Sequence, residues 1–146
     1  MAHDVTSNAK AHSGVDRAWA PAAGFWEGVD AGELRFPRCT TCHKFTWYPL
    51  PRCPHCRTET LEWATVNPEG RIFSYTVLER AFLPAFEGRT PHVPLLVRFE
   101  DAPGVTLVTS LSDRTQHDRV EIGAKVVMTF TADEAGAVLP RALLVD

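Results

Sequence analysis

CTTCHKFTWYPLPRCPHC, residues 39–56, holds all four cysteines of the chain, and its reading decides the fold. Cys39, Cys42, Cys53 and Cys56 follow the pattern C-x2-C-x10-C-x2-C. A C-x-x-C segment folds as a tight knuckle with both thiolates on one side, and two knuckles joined by a hairpin close a tetrahedral all-sulfur cage. The pattern predicts a metal ribbon with these four cysteines as ligands. Pro37, Pro49, Pro51 and Pro54 restrain the surrounding loops, which lowers the entropy lost when metal binds. Zinc is the expected ion; iron takes the same four-sulfur set, and the cysteines alone do not separate the two. His43 and His55 stand beside ligands, but four thiolates already fill the shell. A filled shell has no open position for water or substrate, so the metal is expected to be structural. A thioredoxin-like redox role would need one C-x-x-C on a βαβ framework, which the pattern lacks.

Upstream, WAPAAGFWEGVDAGEL (19–34) reads as one short helix, with Pro21 in its first turn and Gly32 at its stop. Ala22, Phe25, Trp26 and Val29 share a face. Gly24 and Gly28 each weaken a helix by roughly 1 kcal/mol relative to Ala, so this one should depend on docking its aromatic face, with a partner chain as one candidate dock. Residues 1–18 lack hydrophobic periodicity and read as an unstructured tail. Between helix and barrel, 35–60 is the ribbon.

Downstream of Leu61 the spacing changes to alternation: LEWATV, RIFSYTVLE, PLLVRFE, GVTLVTSL, KVVMTFTA and AVLPRALLV. Leu95, Val97 and Phe99 form one core face and Val126, Met128 and Phe130 another, while Pro140 marks an edge or bulged strand. Five or six short strands over 61–146 fit an OB-type barrel better than a two-sheet sandwich, which needs about 100 residues. The chain is therefore expected to be mostly β. The connection over 80–94 is unusually long, and its Phe82, Leu83 and Phe86 either fold back on the barrel or face a partner.

The 146 residues, 45% hydrophobic and 23% charged, are those of a soluble domain, without an apolar run long enough to span a bilayer. The first residues lack the basic and apolar regions of a secretory signal, so a reducing cytoplasm is expected, where paired cysteines favour metal over disulfide. A net charge of −3 gives no whole-chain attraction to nucleic acid or anionic lipid. Locally the ribbon is basic: Arg35, Arg38, Lys44, Arg52 and Arg57 have no acid between Glu33 and Glu59. These charges offset the roughly −2 of a zinc tetrathiolate, or they bind phosphates, with Phe45, Trp47 and Tyr48 stacking on a base. Trp47 and Tyr48 equally suit the small core of the ribbon. His92, His117, Ser74, Ser110 and Ser112 sit in no catalytic motif, so the chain is read as performing no chemistry itself.

The succession FWEGVDAGELRFPRCTTCHKFTWYPLPRCPHCRTETLEW, GRIFSYTV, PLLVRFED and IGAKVVMTF resembles a family of small proteins with an N-terminal helix, a rubredoxin-like zinc ribbon and a C-terminal OB-fold. The match covers roughly 19–145, and departs from the family where His43, Lys44 and Arg57 replace the glycine common after a knuckle. The resemblance implies a non-catalytic accessory subunit of acyl-CoA metabolism. Its partner would be a thiolase-superfamily enzyme, including lipid-transfer-protein-like thiolases and aldolases, or a MaoC-like enoyl-CoA hydratase. It also implies that helix and ribbon meet the partner and help hold coenzyme A thioesters, with Phe25, Trp26, Arg38, Trp47, Tyr48 and Arg52 as contact candidates. A second copy of the chain is a further candidate partner. The competing expectation is a single-stranded nucleic-acid module, since ribbons and OB-folds both serve there.

Overall fold

Pro21 opens a 3-10 turn, Ala20–Ala22, which runs into helix α1, Ala23–Asp30. In the computed structural model, which describes residues 17–132 and 136–146, this is the one α-helix among the described residues. The helix is shorter than the expected 19–34, because Gly32 turns the chain (φ 74°) and Leu34 begins a strand. The expected tail lies outside the described residues up to position 16, and its last part is held in place. Arg17 pairs with Asp30 at 2.8 Å and lays its guanidinium 4.7 Å from the Trp26 ring centre.

Seven strands follow among the described residues. β1 (Leu34–Cys39) and β2 (Leu61–Val66) form an antiparallel pair, and the knuckles hang from the end where Cys39 faces Leu61. The LEWATV strand thus pairs with β1, which leads into the first knuckle, and not with a strand of the five-stranded sheet. The other five, β3 (Glu69–Tyr75), β4 (Pro94–Phe99), β5 (Ala102–Ser110), β6 (Lys125–Ala132) and β7 (Val138–Leu144), make an antiparallel sheet in the order β5-β4-β3-β6-β7. Among the described residues no continuous ladder closes it. The two edges meet through an isolated parallel bridge between Leu111 and Ala142 and a 2.7 Å hydrogen bond from the Thr109 hydroxyl to the Pro140 carbonyl. Pro140 stands on edge strand β7, where its missing N–H breaks no ladder.

The helix finds its dock inside the chain. Phe25 and Val29 join Leu34, Phe36 and Val66 of the ribbon in the same buried cluster as Ile72, Val97 and Phe99 of the barrel. Phe36 touches both sides, 6.1 Å from Phe25 and 5.7 Å from Phe99 between ring centres. The two helix glycines permit this closeness: a Cβ on Gly24 would fall within the Trp63 indole, and one on Gly28 would lie 2.8 Å from the Glu33 carbonyl and from Arg35. Their cost in helix propensity is thus offset by burial against β1 and β2. No described helix is long and apolar enough to cross a membrane.

Candidate metal centre and the ribbon surface

The two knuckles repeat one backbone design. The His43 amide donates to the Cys39 carbonyl at 2.9 Å and the Cys39 amide to the Lys44 carbonyl at 3.0 Å. In the second, Arg57 donates to Cys53 at 2.8 Å and Cys53 to Thr58 at 2.9 Å. Each turn forces the residue after its second cysteine into the left-handed region, His43 at φ 62° and Arg57 at φ 65°. These are the two positions at which the sequence lacks the usual glycine.

This geometry gathers the Sγ atoms of Cys39, Cys42, Cys53 and Cys56 within 4.8 Å of one another. The Cys39–Cys56 and Cys42–Cys53 separations are 3.5 and 3.6 Å. A tetrahedron with metal–sulfur bonds of about 2.3 Å has edges of about 3.8 Å, so the four sulfurs suit one tetrahedral ion. Cys39 and Cys53 are buried, and Cys42 and Cys56 half-buried. Threonines supply hydrogen bonds around the sulfurs. The Thr58 hydroxyl lies 3.1 Å from Cys56 Sγ and 3.4 Å from Cys39 Sγ, and Thr60 lies 3.6 Å from the latter. The Thr58 hydroxyl, then the backbone amide of Cys42, draws the Cys39 thiol down to about 5, and Thr58 likewise lowers Cys56. The contacts that orient Cys39 and Cys56 thus favour their thiolates, whereas at Cys42 the lowering hydrogen bond from the Lys44 backbone is outweighed by burial and the neighbouring Cys53, Cys56 and Cys39, which push its thiol up to about 11. No signal in the spacing of the cysteines pointed to these threonines.

The basic residues find acids just beyond the acid-free window. Arg35 pairs with Glu33 at 2.7 Å, Arg38 with Glu62 at 3.0 Å and Arg52 with Glu59 at 2.8 Å. Arg35, through its hydrogen bond and charge, holds the Glu33 carboxyl below its usual range. Of the contact candidates, Phe25, Trp26, Trp47 and Tyr48 form one aromatic run: Phe25 lies 5.1 Å from Trp26 and 4.8 Å from Trp47, and Trp47 lies 4.9 Å from Tyr48. Phe25 is buried and Trp26 and Trp47 pack on the core, while Tyr48 is 56% exposed. Arg38 bridges Phe45 by backbone pairing beside this run, and Arg52 stands apart with Glu59. The Arg38 Nε, Thr46 Oγ1 and Trp47 Nε1 atoms are buried without a hydrogen-bond partner.

Comparison with known proteins finds two family models, whose boundary falls within β2. Residues 26–62 match the family model of the ChsH2 rubredoxin-like zinc ribbon domain, and residues 63–131 that of the ChsH2 C-terminal OB-fold domain. A chain of the solved Ltp2-ChsH2(DUF35) aldolase superposes with a TM-score of 0.74 at 28% identity, over 89% of this chain and 96% of that one. A DUF35-family protein of unknown function from Sulfolobus solfataricus shares the fold, with a TM-score of 0.61 at 19% identity over 86% of this chain and 85% of that one. The probable enoyl-CoA hydratase alpha subunit of Thermomonospora curvata is 34% identical over 119 residues, 80% of this chain. The chain spans only 35% of that relative's length.

Proposed function

The chain belongs to the family that joins a ChsH2-type rubredoxin-like zinc ribbon to a ChsH2-type OB-fold, and from this premise we propose that it is a non-catalytic scaffolding and acyl-CoA-binding subunit. Its partner in this reading is a thiolase-superfamily enzyme of cytoplasmic acyl-CoA, lipid or steroid side-chain metabolism. The observation that carries the proposal is the near-complete superposition on a chain of the Ltp2-ChsH2(DUF35) aldolase. The metal is zinc, held by Cys39, Cys42, Cys53 and Cys56 and serving structure, because four sulfurs fill its shell. The chain divides into a ribbon with its docked helix and an OB-fold. Tyr48 and Arg38 are the candidates best placed to meet a partner or a coenzyme A thioester, being the more exposed of the set beside the aromatic run.

A second reading makes the partner a MaoC-like enoyl-CoA hydratase. It is favoured by the relative named as a hydratase alpha subunit, whose additional length leaves room for further domains. Both readings are tested by expressing the tagged chain in its native host and identifying what co-purifies, followed by size-exclusion chromatography. Recovery of a thiolase-type enzyme whose activity or solubility falls without the chain supports the first reading. A hydratase in its place supports the second. Both fail if candidate enzymes are fully active alone and run separately from the chain.

A further inference from the structure

The outer face of the barrel carries a charge pattern that folding does not explain. β3 lies between β4 and β6, and its Arg71 stands directly opposite Arg98 on β4 and Lys125 on β6. Opposed residues of an antiparallel pair share a face, and all three are exposed, so Lys125, Arg71 and Arg98 form one row of like charges across three strands. Strand spacing of about 4.8 Å makes the row about 10 Å long. Directly opposed like charges destabilise a sheet. Among the described residues none of the three pairs with a carboxylate, although Arg17, Arg35, Arg38, Arg52 and Arg119 do. Arg71 donates to the Gly123 carbonyl at 2.9 Å, and Arg98 to the Thr106 hydroxyl at 3.3 Å.

Next to the row the face becomes apolar. Phe73 follows buried Ile72 onto this outer face, at the irregularity between Ile72 and Ser74; it is 44% exposed, and the Arg98 guanidinium lies 3.5 Å from its ring centre. Leu96 stands opposite Val108, which is 58% exposed. On the other side of the row the charge reverses, with Glu69, Glu100 and Asp101 around one polar hollow. A long polyanion laid along β3 and β4 would meet those acids. A short ligand, with anionic groups over the cations and a flat apolar group over Phe73 and Arg98, would not.

We infer that this face binds a small phosphorylated nucleotide, with its phosphates on Lys125, Arg71 and Arg98 and its base against the Phe73–Arg98 stack and the Leu96–Val108 strip. Guanidinium groups match phosphate oxygens in paired hydrogen bonds, and a base stacks on an aromatic ring or an arginine plane. The phosphates of a free adenine nucleotide and of coenzyme A share this chemistry. In the second case the inference rests on the acyl-CoA reading above.

The test is calorimetric titration of the full metal-loaded chain with ADP, adenosine 3′,5′-bisphosphate, coenzyme A, pyrophosphate and a twelve-base single-stranded DNA. Saturable binding of the nucleotides, weakened at least tenfold by Arg98→Glu and by Arg71→Glu, is expected. Phe73→Ala should weaken ADP several-fold and leave pyrophosphate unchanged. Equal binding of ADP and coenzyme A marks a free nucleotide as sufficient, whereas binding of the bisphosphate and coenzyme A alone marks the coenzyme. Because the row costs stability, Arg71→Glu should raise the melting temperature of the unliganded chain, which also shows that the variant is folded. The inference is overturned if no nucleotide binds at millimolar concentration, if either charge reversal leaves binding intact, or if the oligonucleotide binds more tightly than every small ligand. The charge-reversed chain should still co-purify with its enzyme, so failure here and failure of the scaffolding proposal are read separately.

Discussion

At His43 and Arg57 the knuckle backbone sits where a Cβ crowds the neighbouring carbonyl, at φ 62° and 65°. An L-residue there costs roughly 1–2 kcal/mol, and glycine recovers that at an unfolded-chain entropy cost of about 0.5–1 kcal/mol. His43→Gly and Arg57→Gly should each stabilise the metal-loaded chain by up to about 1 kcal/mol, read as a rise in denaturation midpoint. A loss of stability in either would mean that its side chain makes a contact worth more than the strain. Thr58 is the opposite case, a residue whose side chain is needed. Its hydroxyl reaches both Cys39 and Cys56, so Thr58→Val should lower zinc affinity about 10–100-fold in competition with a chelator while leaving the barrel folded. An unchanged affinity would remove Thr58 from the support of the site.

Among the elements, the hairpin that extends β3 and β4 is the one most exposed to its conditions. Leu78 and His92 exchange backbone hydrogen bonds of 2.7 and 2.9 Å, and beyond them Phe82 is 79% exposed over a cavity of about 140 Å³ lined by Leu78, Phe86 and His92. Burial, and then the charge of Arg141, lowers the His92 pKa below its usual value. The unfolded chain therefore takes up the proton first, so the stability contributed by neutral His92 is present above about pH 6.5 and is lost as pH falls through the lower folded value. Amide exchange over 78–92, corrected for intrinsic rates, should be faster at pH 5.5 than at 7.5, and His92→Phe should remove the difference. Exchange independent of pH in the native chain would contradict this. The strands themselves were legible, because Leu95, Val97 and Phe99 alternate toward the core and Pro140 can only sit at an edge. The spacing of Cys39, Cys42, Cys53 and Cys56 likewise foretold one sulfur cluster. What local pattern could not show is pairing. Leu61–Val66 alternates like a barrel strand, and only its register with Leu34–Cys39 shows that it pairs with β1. Gly24 and Gly28 read as helix weakeners until Trp63 and the Glu33 carbonyl stand over them.

Across the whole molecule, the ribbon base and the barrel are two folds with one core. Phe36 is fully buried between Phe25, Trp47 and Phe99, so the hydrophobic surface that holds β1 to the helix also holds it to the barrel. Among the described residues the two C-x-x-C knuckles themselves add no side chain to that buried cluster, so on the proposed function they rely on a bound metal ion. Two separable responses follow. Stripping a bound metal with a chelator should speed amide exchange over 39–60 while β3–β7 keep their protection, since a structural metal contributes its binding energy where its ligands lie. Phe36→Ala, by contrast, removes packing that both parts share and should cost about 3–5 kcal/mol, lowering a single unfolding transition seen alike by ribbon and barrel probes. Two transitions in that variant, with the barrel melting at its original temperature, would show that the cores are independent after all. A single transition would mean that whatever docks on the ribbon also stabilises the barrel, because ligation of one part of a cooperative unit stabilises the whole.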